Sequence, residues 1–62
     1  MIYHVYQQLP PVQDGTEWRP NVKFRDNVEA SSEQAAIVIA RGLEVFRRAQ
    51  GLGRFPMVEE AV

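Results

Sequence analysis

The residues able to do chemistry are few, and they do not converge. His4 is the one histidine of this 62-residue chain, and histidine is the one side chain whose ordinary pKa lies near neutrality. No nucleophile, base and orienting group can be assembled around it. The carboxylates Asp14, Glu17, Asp26, Glu29, Glu33, Glu44, Glu59 and Glu60 are scattered, with no ligand pair at metal spacing. Cysteine is absent, which excludes disulfides and thiolate zinc sites. Ser31 and Ser32 are accounted for by helix capping, and there is neither a glycine-rich phosphate loop nor a serine elbow. The reading is of a protein that is not an enzyme, with no catalytic, metal or cofactor residue and no small-molecule ligand inferred.

Two groups of cations remain. Arg19, Lys23 and Arg25 alternate with Asn21 and Asn27 along one segment. If that segment is a strand, its odd positions, about 7 Å apart and close to the spacing of single-strand phosphates, make a basic face, with Tyr3 or Tyr6 beside it for base stacking. Arg41, Arg47, Arg48 and Arg54 gather near the end of a predicted helix, where the negative end of the helix dipole favours them and Glu44 offsets them.

The elements that must position these residues follow from periodicity. Ile2 to Gln8 is rich in β-branched and aromatic residues and reads as a strand that stops at Leu9-Pro10-Pro11, since proline cannot donate to a ladder. Residues 9–17, with two prolines and Asp14-Gly15, read as a hairpin loop. Alternation from Trp18 to Ala30 predicts a second strand over about 21–28, its even positions facing a core, with a bulge or bend near Asp26. Ser31 and Gln34 fit a capping box that opens one long helix over 32–50, closed by Gly51 in the left-handed region. On a helical wheel of about 100° per residue, Val45, Val38, Ala49, Gly42, Ala35, Phe46, Ile39, Leu43 and Ala36 span roughly 180°. The tail, 52–62, can add a short strand that Pro56 restricts to a sheet edge, laid beside the hairpin by a right-handed crossover.

The expected fold is thus a single α+β domain over 1–62, a β-hairpin packed on one amphipathic helix (ββα, or ββαβ with the tail). Its expected core is Trp18, Val22, Phe24, Val28, Ile39, Leu43 and Phe46. A chain this short buries only about 60% of its unfolded surface and usually needs a staple. With disulfides and metal excluded, the staple left is another protein chain, either a second copy or a host complex. Half the helix is apolar, more than a small sheet needs, which makes Val38, Val45, Phe55 and Met57 the expected partner-binding anchors. The formal charge of -1 argues against a wholly basic nucleic-acid footprint. No apolar run reaches the length of a membrane span, so a cytoplasmic protein is expected. The functional expectation is a protein–protein interaction module, by fold-level analogy a small accessory or inhibitor protein of a phage or mobile element. The alternative is a small nucleic-acid-binding protein using Arg19, Lys23 and Arg25.

Overall fold

Tyr3, Val5 and Gln7 are buried while their neighbours Ile2, His4, Tyr6 and Gln8 are not, the alternation of a strand with one face covered. In the computed structural model, which describes residues 1–62, this strand is the centre of an antiparallel sheet of order β2-β1-β3. The strands are β1, Ile2–Asp14, β2, Glu17–Glu29, and β3, Pro56–Glu60. Between β2 and β3 lie the helices α1, Glu33–Arg41, and α2, Glu44–Arg48, followed by a 3-10 turn at Gly51–Arg54. The fold is α+β with an N-terminal hairpin, and β3 is an edge strand as Pro56 requires. It runs antiparallel to β1, from Tyr3 opposite Glu60 to Gln7 opposite Pro56, so the handedness expected of a parallel crossover does not arise. No helix is long and apolar enough to cross a membrane.

The loop expected at 9–17 is instead strand. Leu9 pairs with Asn21 and Val12 with Arg19, so Pro10 and Pro11 are absorbed as unpaired residues of a bulge where their missing amide proton costs nothing. Pro20 lies opposite them in an edge strand, which lets β2 begin at Glu17 and not at 21. The connection shrinks to Gly15-Thr16, with Gly15 at φ +65°, the first central position of a two-residue hairpin turn that favours glycine.

The single helix expected over 32–50 is broken. Its N-cap is Ser32, not Ser31: the Ser32 Oγ accepts the Ala35 N–H at 3.2 Å. Leu43 is extended at φ -67°, ψ 142° and separates α1 from α2. Geometry explains the break. Ala36 and Ala40 point into the core, and a continuous helix at about 100° per residue would aim Arg47 along the same line and turn Phe46 about 80° or more away. Interrupting the helix after Gly42, a poor helix former, lets Phe46 swing inward to 3% exposure. Gly51 has φ +59° as expected, but it starts the 3-10 turn and caps no long helix. The core is Tyr3, Val5, Val28, Ala30, Ala36, Ala40 and Phe46, with Ala35, Leu43, Val45 and Val58 at its margin.

Candidate functional site

One residue decides what β2 shows to each side of the sheet. Val5 pairs with Asp26 but Tyr6 with Phe24, leaving Arg25 as the extra residue of a bulge. Side chains alternate along a strand, so one inserted residue exchanges the faces of everything beyond it. Val28, opposite Tyr3, faces the helices. Phe24 lies on the other side, where its ring meets those of Tyr6 and His4 edge to face at 5.9 and 6.0 Å. Val22, Pro20 and Trp18 follow Phe24 onto this helix-free face, and Met57, the partner of Tyr6 in β3, joins them. Trp18 is 64% exposed, Phe24 50%, Met57 46% and Val22 44%.

The expected core is corrected accordingly. Trp18, Val22, Phe24 and Ile39 are exposed; Val28 and Phe46 are buried, and Leu43 packs at the margin. What remains is an apolar, aromatic stretch of open sheet. From Tyr6 and Phe24 to Gln13 and Trp18 the register places no charged side chain on it; Glu29 and Glu59 stand at the far end, beside Ile2 and His4. Beside Val22 and Met57 lies a hollow of about 320 Å³, lined by Pro20 of this face and also by Leu52 and by Leu9 and Asn21 of the opposite parity. His4 is tied down within the face, its Nδ1 donating to Asn27 Oδ1 at 2.6 Å.

The basic residues of β2 take the opposite side. Lys23 pairs with the helix-facing Gln7, and Arg25 donates to Gln7 Oε1 from Nε at 2.9 Å and from Nη2 at 2.6 Å. Arg19 pairs with Asp14 at 2.8 Å. The expectation of Arg19, Lys23 and Arg25 on an uncovered face with aromatics among them is therefore corrected: the cations and the rings Tyr6, Phe24 and Trp18 lie on opposite faces, and two of the three cations are already engaged. Tyr3, the other ring considered, is buried.

The four anchors expected on the helix flank and tail are not brought together. Val38 stands exposed on the outer side of α1, Val45 packs against the molecule's own core, and Phe55 lines a separate cavity with three arginines. Met57 alone belongs to the open sheet face. The residues missed as surface, Tyr6, Phe24, Val22 and Trp18, had one mark in the sequence: Asp26 interrupts the apolar series of β2 at the place where its register slips. Comparison with protein-family models, curated proteins and solved structures returns no match for this chain.

Proposed function

We propose that the chain is a non-enzymatic protein–protein interaction module whose helix-free sheet face packs against a second copy of itself. The observation that carries this reading is the uncovered run of Tyr6, Phe24, Val22, Trp18 and Met57, apolar and without charge along its length. Such a face is its own complement. Two copies laid sheet on sheet, about 10 Å apart, would bury rings against rings with no like charges meeting. Need points the same way: only 8 of 62 residues are buried in the single chain, a small core for a domain that has no cysteine to cross-link and no cluster of three or more His, Cys, Asp or Glu side chains. A copy of the chain is present wherever the chain is, which favours it over a rarer partner as the standing cover of this face.

Sedimentation equilibrium tests the proposal. The wild type should dimerise reversibly, and Phe24→Asp, which places a charge in the middle of the contact, should be monomeric with an unchanged far-UV spectrum. A wild type that stays monomeric at the highest concentration tested overturns the reading, whatever other protein it binds.

A further inference from the structure

A second surface collects positive charge that the fold leaves unneutralised. Arg41 lies in the last turn of α1, Arg47 in the last turn of α2 and Arg54 at the end of the 3-10 turn. All three line one cavity of about 530 Å³, together with Phe46 and Phe55. The molecule's two ion pairs, Arg19 with Asp14 and Arg48 with Glu44, involve none of them. Composition does not force the gathering, since the chain has 8 carboxylates to 7 lysines and arginines. A helix dipole favours one arginine at the end of each helix; it does not explain why three segments deliver their arginines to the same cavity. Like charges so placed repel one another, and an anion bound among them would relieve that repulsion.

The lining narrows the ligand. Guanidinium forks match phosphate oxygens in bidentate geometry, and a phosphate monoester carries close to two charges at neutral pH where a carboxylate carries one. The volume falls in the range of sites for whole small molecules, about 300 to 1,000 Å³, and a bare phosphate would leave most of it unfilled. Of its two aromatic lining residues Phe46 is 3% exposed and spoken for by the core, whereas Phe55 is 51% exposed and free to meet a ligand. We propose that this cavity binds a small phosphorylated ligand of nucleoside-monophosphate size, its phosphoryl group held by Arg41, Arg47 and Arg54 and its ring stacked on Phe55.

Calorimetric titration at low ionic strength with AMP, adenosine and inorganic phosphate tests it. AMP should bind, adenosine should give no heat, and inorganic phosphate should bind about tenfold more weakly than AMP. Arg47→Gln and Arg54→Gln should each weaken AMP about tenfold or more, the loss expected when a charged hydrogen-bond partner is removed. Phe55→Ala should reduce AMP to the affinity of inorganic phosphate. All three side chains are exposed, and unchanged far-UV spectra will confirm that the variants fold. The proposal is overturned if the wild type fails to bind AMP, if the arginine variants bind it as well as the wild type, or if AMP binds no tighter than inorganic phosphate. Phe24→Asp, altered only on the sheet face, should bind AMP normally, so failure of the dimer and failure of this site are separable.

Discussion

Gln7 ties three segments together through one side chain: its own strand β1, the bulge of β2 and the 3-10 turn. It is 5% exposed; its Oε1 accepts both hydrogen bonds from Arg25, the bulge residue, and its Nε2 donates to the Gly53 carbonyl at 3.0 Å. The bulge is thereby pinned to β1, and β1 to the 3-10 turn. The fit allows little else, for a Cβ on Gly53 would stand 3.0 Å from that same Nε2. Gln7→Leu should cost about 1 to 3 kcal/mol, because it removes both charge-assisted hydrogen bonds from Arg25 and the partner of the Gly53 carbonyl, and urea titration will read the loss. Tyr3 gives a second prediction. Burial first, then the charges of Glu60 and Glu33, push its hydroxyl above the ordinary tyrosine value. In the unfolded chain the phenol ionises near pH 10; in the folded chain it holds its proton to higher pH. The contribution is therefore fully present below about pH 10 and is lost as the pH rises further. Thermal melts through that range should show a shallower alkaline decline in Tyr3→Phe than in the wild type.

At the scale of elements, the two aromatic residues once expected in one core separate sharply. Phe46→Ala empties a buried site and should cost about 3 to 5 kcal/mol. Phe24→Ala removes a half-exposed ring and should cost the monomer well under that while weakening self-association; comparing urea midpoints under dilute and concentrated conditions separates the two effects. The contrast also marks what the sequence could disclose. Both strands of the hairpin, the helix start within one residue and the edge position of β3 were legible, because β-branched alternation, serine capping and proline each act locally. Facing was not. Trp18, Val22, Phe24 and Val28 share one parity, and nothing in their side chains reveals that Arg25 is the residue left out of the register. The break at Leu43 was hidden in the same way: the helical wheel is apolar over half its circumference with or without it, and only the demand of Ala36, Ala40 and Phe46 for one core selects the broken form. The candidate site depended on both, so the basic strand face dissolved, while of the four arginines near the helix end Arg41, Arg47 and Arg54 share a cavity and Arg48 pairs with Glu44 instead.

The whole molecule measures 40 × 28 × 15 Å along its principal axes, a thin slab. The helices cover one end of the hairpin, and from Pro10 to Asn27 no residue is buried, so the outer half of the hairpin extends as a two-stranded arm held mainly by its own ladder and the Gly15 turn. Two-stranded ribbons are marginal alone in water. This arm predicts a gradient of amide hydrogen exchange along a single pair of strands. In dilute solution, amides around Tyr3, Val5 and Val28 should exchange only through global unfolding, while those of Val12, Gln13, Trp18 and Arg19 exchange through local opening at much lower free energy. If the second copy covers the open face, raising the protein concentration should slow the arm selectively and leave the rates at Tyr3 and Val5 to follow global stability. Equal protection along the hairpin at every concentration would mean that the arm is already as cooperative as the core, and that its exposed rings have no cover to wait for.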